Sequence, residues 1–186
     1  IGLDRWKPGL AYDGQEEVFV EQLRLAAERN RPVSIHCLRA WGRLEELLRA
    51  GPRPERGFLL HSYGGPVEMV KPLTRLGAYF SFPGYYLHER KAHQRETFRH
   101  VPPERLLIET DAPDQLLPEP PPAPSGEPET PRFVIDPATG RQWNHPASLR
   151  AVCEGLATFL GQPVETLAAR IEENFLRLFG AGGRSP

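Results

Sequence analysis

Five short apolar runs recur along the chain at intervals typical of strands that alternate with helices. The runs start near residues 1, 32, 57, 78 and 105, so successive starts lie 21 to 31 residues apart. Between them, apolar residues recur at helical spacing, most clearly over residues 15–30 and about 40–50. This alternation predicts an α/β fold with a parallel sheet or barrel.

The second half of the chain changes character after the fifth run. We expect a polar helix over residues 88–100, a proline-rich loop excursion over 114–142 with a small hairpin in it, and two C-terminal helices over about 146–160 and 163–179. An eight-stranded TIM barrel would need three more strand–helix units. The expected architecture is therefore an incomplete barrel of about five strands plus C-terminal helices, in one N-terminally truncated domain covering residues 1–186.

Charge and composition narrow the choice of partners. Lys and Arg number 23 against 24 Asp and Glu, a formal net charge of −1, so no global basic field attracts a polyanion. No apolar run approaches the roughly 18–20 residues of a membrane span, and the two cysteines, Cys37 and Cys153, are most simply interpreted as reduced. These features predict a cytoplasmic protein without membrane contact.

Four residues with metal-ligand side chains end the predicted strands. Asp4, His36, His61 and Asp111 each lie at or just past the end of an apolar run, whereas the run over residues 78–82 carries no such residue. Strand ends of a parallel sheet share one rim, so we expect His36, His61 and Asp111 to converge there and bind divalent metal. Asp4 either binds the metal itself or accepts a hydrogen bond from one of the metal ligands, and both interpretations stay open.

Asp111 combines two possible roles. Strand alternation would place Glu109 and Asp111 on one face, where two carboxylates are costly unless they bind metal or accept hydrogen bonds. A carboxylate beside a metal is also a natural general base. The alternative is a structural cap.

Tyr63, in a loop after a strand, could stack on a nucleic-acid base or simply pack in the loop.

An ordered set of motifs resembles one family. The matching segments are Ile1-Gly2-Leu3-Asp4, the helix with Phe19, Gln22, Leu23 and Ala26, Pro32-Val33 followed by Ile35-His36-Cys37, His61-Ser62-Tyr63-Gly64-Gly65, Gly77–Phe82 with Gly84, Glu104–Pro113, and Asn174 with Arg177-Leu178-Phe179. In this order they are similar to the TatD family of metal-dependent deoxyribonucleases, and they cover nearly the whole chain.

The resemblance implies a TIM barrel of the amidohydrolase superfamily that hydrolyses DNA phosphodiesters with two divalent ions, such as Mg²⁺, Mn²⁺ or Zn²⁺. It implies that His36 and His61 bind one ion, and that Asp111 binds the other and serves as the catalytic acid–base. The family's His-x-His motif is absent, and its bridging Glu would precede Ile1. Leu38 stands where an arginine often follows the His-Cys pair, so Arg39 is the candidate for substrate phosphate.

Two other functions remain open. The same metal site could hydrolyse an ester, lactone or amide, which the near-zero net charge favours. Alternatively, the chain could be a non-catalytic binding module whose site holds at most one weakly bound ion. In each case we expect that the chain alone is a poor enzyme, and that it self-associates or pairs with a missing N-terminal segment to cover its sheet edges.

Overall fold

The fold is described from a computed structural model covering residues 1–6, 9, 12–119 and 133–180. These residues form seven strands and six α-helices, joined in places by single turns of 3₁₀-helix. They are β1 (Gly2–Asp4), α1 (Tyr12–Glu28), β2 (Ser34–Leu38), α2 (Trp41–Ala50), β3 (Phe58–Leu60), α3 (Val70–Arg75), β4 (Ala78–Pro83), α4 (Ala92–Thr97), β5 (Leu106–Glu109), β6 (Phe133–Ile135), β7 (Gln142–Asn144), α5 (Leu149–Leu160) and α6 (Val164–Phe179).

The first five strands form one sheet in the order β1-β2-β3-β4-β5, so each strand lies beside its neighbour in sequence. The pairs β1–β2, β2–β3 and β3–β4 are parallel, and a helix connects the two strands of each pair. This confirms the predicted α/β fold and the five strands of the expected incomplete barrel. The difference lies in β2, which extends to Leu38, so His36 lies within the strand and not at or past its end as predicted.

The chain divides into two compact units. Among the described residues, the first contains those within 1–81, 100–107 and 170–180, and the second contains those within 82–99 and 108–169. In the first unit, Tyr79, Leu107 and Leu178 form a buried cluster against which Ile171 packs. In the second, Phe82 meets Phe98 edge to face at 4.9 Å. Each unit therefore has an apolar core of its own.

The helices differ from the sequence prediction mainly at their ends. Helix α1 starts at Tyr12, three residues before the predicted start at residue 15. Gly51 after α2 is extended, with φ −95° and ψ 167°, so this glycine does not form a left-handed cap. Gly161 after α5 does adopt the left-handed conformation, with φ 70°. Pro72 is tolerated in α3 because it falls in the first turn, whose N–H groups need no partner within the helix.

The polar segment 88–100 is less regular than predicted. Only Ala92–Thr97 is α-helical, and 3₁₀ turns flank it on both sides. The predicted hairpin is confirmed, because β6 and β7 pair antiparallel with Val134 opposite Trp143. Residues 120–132, the rest of the proline-rich excursion, lie outside the described residues. No helix in the described part of the chain is both long and apolar enough to span a membrane, and the cytoplasmic location stays a prediction.

Candidate functional site

His36 and His61 are brought together by the pairing of β2 with β3. Ser34 lies opposite Leu59 and Ile35 opposite Leu60, so the same register places His36 opposite His61. The His61 N–H donates to the Ile35 carbonyl at 3.0 Å and continues the ladder past the end of β3. The two imidazole rings are tilted by 35°, with centroids 6.3 Å apart. Two predicted ligands therefore lie side by side on one face of the sheet.

Asp4 lies beside His36 through the pairing of β1 with β2. The Nε2 atom of His36 is 3.3 Å from Asp4 Oδ2, while Asp4 Oδ1 accepts a hydrogen bond from the Trp6 N–H at 2.8 Å. Gly2 lies opposite His36, and a β-carbon at this glycine would overlap the His36 carbonyl oxygen. A side chain at position 2 would thus push β1 away from His36. Asp4 is therefore a hydrogen-bond partner of His36, and its role as a further ligand stays a prediction.

Gln15 holds the main chain of Asp4 in place, which the sequence did not suggest. Its Oε1 accepts from the Asp4 N–H at 2.7 Å, and its Nε2 donates to the Asp4 carbonyl at 3.2 Å. This amide therefore satisfies both backbone groups at the end of β1. The available signal was weak, because a polar residue in the first turn of α1 is most simply interpreted as exposed.

The loop after β3 is fixed by β4. The Ser62 N–H donates to Ser81 Oγ at 3.1 Å, and the Tyr63 N–H donates to the Ser81 carbonyl at 3.3 Å. Ser62 itself has a φ of 46°, which turns the chain sharply after His61. Ser81 is buried at the strand position that follows Phe80, the partner of Leu60. His61 thus follows a strand end that is held from both neighbouring strands.

Tyr63 does not have the exposure that contact with a substrate requires. Its side chain is fully buried, its hydroxyl donates to the Pro66 carbonyl at 2.8 Å, and its ring meets Trp41 and Phe80 edge to face. Burial raises the pKa of its hydroxyl. This finding is at odds with the predicted substrate-binding role of Tyr63, because the ring offers no face to a base. Arg39 is exposed at the end of β2, with a φ of 55°, and its phosphate contact stays a prediction.

Asp111 belongs to the second unit and follows β5 by two residues. Its φ is 58°, outside the extended region, so strand alternation stops at Glu109 and cannot place the two carboxylates on one face as predicted. The Gln115 side-chain amide donates to Asp111 Oδ2, and the Asp114 N–H donates to the Asp111 carbonyl at 3.0 Å. A tight turn, rather than strand geometry, sets the direction of this carboxylate.

Asn144, at the end of β7, holds the Asp111 turn from the far side of the excursion. Its buried amide donates to the Thr110 carbonyl at 2.6 Å and to the Gln115 carbonyl at 3.2 Å, and its N–H donates to the Pro113 carbonyl at 2.8 Å. Ser148 Oγ in turn donates to Asn144 Oδ1 at 2.9 Å. Sequence reasoning missed this residue because the partners are about 30 positions apart.

A buried tyrosine lies near the carboxylate that ends β5 and the one that follows it. Burial is the main cause that raises the pKa of Tyr86, and the negative charges of Glu109 and Asp111 raise it further. The hydroxyl of Tyr86 therefore stays protonated at neutral pH and remains a hydrogen-bond donor in this acidic part of the second unit.

The side chains that His36 and His61 contribute to the first unit are of a type that binds divalent ions. Two imidazoles that each bond one ion at about 2.1 Å would have ring centroids roughly 5–6 Å apart, close to the 6.3 Å observed for His36 and His61. The hydrogen bond that His36 donates to Asp4 is of the type that orients metal-binding imidazoles. Within the described residues, no three His, Cys, Asp or Glu side chains are grouped so that they could hold a metal ion. The ligand role of Asp111 stays a prediction.

Comparison with known proteins identifies the family. The sequence model for the family described as TatD related DNase matches residues 1–180. The chain is 34% identical over 180 residues to the 3′-5′ ssDNA/RNA exonuclease TatD of Escherichia fergusonii, covering 96% of this chain and 64% of that relative. It is 32% identical over 178 residues to the uncharacterized metal-dependent hydrolase YcfH of Escherichia coli, with 96% and 60% covered.

Solved structures agree with this assignment. The TatD homologue YJJV of E. coli superposes with a TM-score of 0.79 at 25% identity and covers 98% of this chain and 62% of its own. A TatD family hydrolase from Entamoeba histolytica shares the fold, with a TM-score of 0.72 at 18% identity and coverage of 96% and 61%. The chain thus spans less than two thirds of the length of these relatives. Its motifs, fold and family match show that the chain belongs to the TatD-related DNase family.

Proposed function

We propose that this chain supplies the His36–His61 part of a metal-dependent phosphodiesterase that shortens single-stranded nucleic acid. The observation that carries the proposal is the register pairing of two imidazoles in a chain that matches the TatD-related DNase family over residues 1–180. Relatives named as 3′-5′ ssDNA/RNA exonucleases supply the substrate class. The proposed cofactor is one or more divalent ions among Mg²⁺, Mn²⁺ and Zn²⁺.

In the proposed site, His36 and His61 bind the ion and Asp4 orients His36. Asp4 Oδ2 accepts a hydrogen bond from His36 Nε2, so the neutral imidazole carries its proton there and leaves the Nδ1 lone pair for the ion. Gln15 fixes Asp4 and thereby fixes the ring. A bound divalent ion supplies Lewis-acid activation of water and of the phosphate.

Asp111 is the proposed general base. A carboxylate takes a proton from the attacking water most effectively when its position is fixed beforehand, and Gln115 and Asn144 fix the turn that carries Asp111. Arg39 is the proposed contact to a substrate phosphate, since it is exposed at the end of the strand that carries His36.

The test is cleavage of a 5′-labelled single-stranded DNA and its RNA equivalent with added Mn²⁺, Mg²⁺ or Zn²⁺, followed on a sequencing gel. We expect slow, metal-dependent shortening from the 3′ end that EDTA abolishes. His61→Ala and Asp111→Asn should each reduce the rate at least tenfold. The matched control is His93→Ala, which removes an exposed histidine of α4 outside the site.

Two results would contradict the proposal. Hydrolysis of p-nitrophenyl esters that depends on His61, without cleavage of nucleic acid, would favour the ester or amide hydrolase. Absence of both activities in a folded, metal-supplemented chain would favour the binding module.

A further inference from the structure

The second unit contains a cavity that the proposed chemistry does not use. Its volume is about 900 Å³, at the upper end of the roughly 300–1,000 Å³ range of small-molecule sites. Residues Pro113–Glu119, which directly follow the Asp111 turn, form one wall. The other lining residues come from the 3₁₀ turns after β4 and from the β6–β7 hairpin. The cavity therefore begins two residues beyond the proposed general base.

Aromatic rings and cations alternate on these walls. The Arg141 guanidinium lies over the Trp143 ring, 3.6 Å from its centroid, and the Arg90 guanidinium lies 5.1 Å from the centroid of the Tyr85 ring. The His88 ring meets Tyr85 at 5.2 Å. Aromatic faces accept any nucleobase, and arginine forks bind phosphate oxygens. The wall thus offers both kinds of group that a single strand requires.

The two arginines are available for an anion. Among the residues that the structure describes, neither Arg90 nor Arg141 forms an ion pair, and both are exposed. Asp114 and Glu119 also line the cavity, so its formal charge is balanced and it would not concentrate polyanions by long-range attraction. Binding here must come from local contacts, in agreement with the net charge of −1 for the whole chain.

The walls are held in place before any ligand arrives. His88 Nε2 is 3.0 Å from the Leu116 carbonyl and ties the turn after β4 to the segment that follows Asp111. Val134 pairs with Trp143 in the hairpin, and Asn144 anchors the end of β7 to Thr110 and Gln115. A preformed site loses less conformational entropy on binding than a loop that must first be ordered.

We propose that this cavity is a nucleotide subsite of the second unit, in which Trp143 and Tyr85 stack on a base of a single strand while Arg141 and Arg90 contact the flanking phosphates. The inference rests on the proposed function for its substrate class. It adds a place on this chain where the strand is held, next to the turn that carries Asp111. No role in the proposed cleavage chemistry is required of these four residues.

The test separates stacking from charge, and binding from cleavage. Fluorescence anisotropy is measured in EDTA with a labelled dT₁₂ and with a labelled abasic strand of the same length, which keeps the phosphates but lacks the bases. We expect the unaltered chain to bind dT₁₂ roughly 5- to 100-fold tighter than the abasic strand. Trp143→Ala and Tyr85→Ala should each reduce that preference several-fold, whereas Trp143→Phe should keep most of it.

The arginine variants should behave differently. Arg141→Gln should weaken binding of both strands alike and lower the slope of log affinity against log salt by about 0.7. The matched controls are Phe175→Ala and Arg150→Gln, which remove an exposed ring of α6 and an exposed cation of α5, neither of which lines the cavity. Both should leave the preference for dT₁₂ and the salt slope unchanged. Thermal melting of each variant verifies that it is folded.

The inference is overturned if the unaltered chain shows no preference for dT₁₂, or if folded Trp143→Ala and Tyr85→Ala variants keep the full preference. It is also overturned if the controls reduce binding as much as the cavity variants do. Metal-dependent cleavage that persists in any of these cases leaves the proposed function intact. Normal dT₁₂ binding without any cleavage would count against the proposed function alone.

Discussion

Replacing Asn144 with alanine should loosen the turn that carries Asp111 by more than the loss of overall stability alone would. The Asn144 side chain makes three hydrogen bonds, to the Thr110 and Gln115 carbonyls at 2.6 and 3.2 Å and from Ser148 Oγ at 2.9 Å. All of them disappear in Asn144→Ala, and two of the partners are carbonyls of the turn itself. The backbone bond from Asn144 N–H to Pro113 can persist.

The magnitude follows from the number and burial of these bonds. At about 1 kcal/mol net for each bond, the loss is about 3 kcal/mol in the free energy of unfolding. In a chain of this size, 1 kcal/mol shifts the melting temperature by about 2–4 °C, so Asn144→Ala should melt roughly 6–12 °C lower. The Thr110 and Gln115 carbonyls would then have to accept hydrogen bonds from water, which requires the turn to open.

The chain provides a matched control in Asn174. This residue is also fully buried, and its amide donates to the Pro103 and Leu106 carbonyls at 2.8 and 2.9 Å, but it belongs to the first unit. Asn174→Ala should therefore cost a comparable 2–3 kcal/mol without affecting the Asp111 turn. Hydrogen exchange by mass spectrometry, at a temperature where both variants are folded, compares peptides that cover residues 108–118.

The reasoning requires faster exchange in those peptides for Asn144→Ala and not for Asn174→Ala. Equal acceleration in both variants would mean that exchange reports overall stability and that Asn144 has no local role. Unchanged exchange in Asn144→Ala, despite a lower melting temperature, would refute the claim that this amide holds the turn.

Three further predictions concern the first unit. Gly2→Ala should lower the free energy of unfolding, measured by urea denaturation, by roughly 1–3 kcal/mol because its β-carbon would overlap the main chain of His36. The control is Gly14→Ala, which should be neutral or stabilising because a β-carbon there meets nothing within 4 Å. Equal effects of the two substitutions would contradict the argument. Zn²⁺ or Mn²⁺ in excess should raise the melting temperature by a few degrees at most, because two imidazoles hold an ion weakly, and this rise should vanish in His61→Ala but not in His93→Ala. Burial raises the pKa of Cys37 from 9.0 to about 12. As pH rises above about 9, the unfolded chain therefore loses this proton before the folded chain does, and the free energy of unfolding should fall. Cys37→Ala should show a shallower fall in the urea midpoint between pH 8 and 10, and parallel profiles would exclude the thiol as a cause.

The sequence predicted those features that depend on short-range pattern. Apolar runs located five strands of the sheet, and the equivalent positions of His36 and His61 at two of them predicted that the imidazoles would meet. The hairpin was also predictable, since Asp136 and Gly140 favour a turn between its two strands; the Asp136 carboxylate accepts from the Ala138 N–H at 2.9 Å. Periodicity and turn chemistry are properties of neighbouring residues and can be identified without the fold.

The missed features depend on backbone angles and distant partners. Nothing in the segment after Ile108 indicates that Asp111 leaves the strand with a φ of 58°. The sequence around Tyr63 does not distinguish a ring that lines a loop from one that fills the core. Only the fold shows that Trp41 and Phe80 enclose this ring. The amide of Asn144 acts across about 30 residues of chain, a distance at which a single sequence carries no pairing signal.

The register between β2 and β3 has a consequence for engineering the chain. The separation of His36 and His61 is determined by the spacing of adjacent strands and does not depend on the length of the connection through α2. Insertions at Pro52 or Glu55, the exposed positions of the loop before β3, should therefore preserve the pair. Deleting one residue within β3 would turn His61 to the opposite face of the sheet and destroy the pair while keeping every other residue.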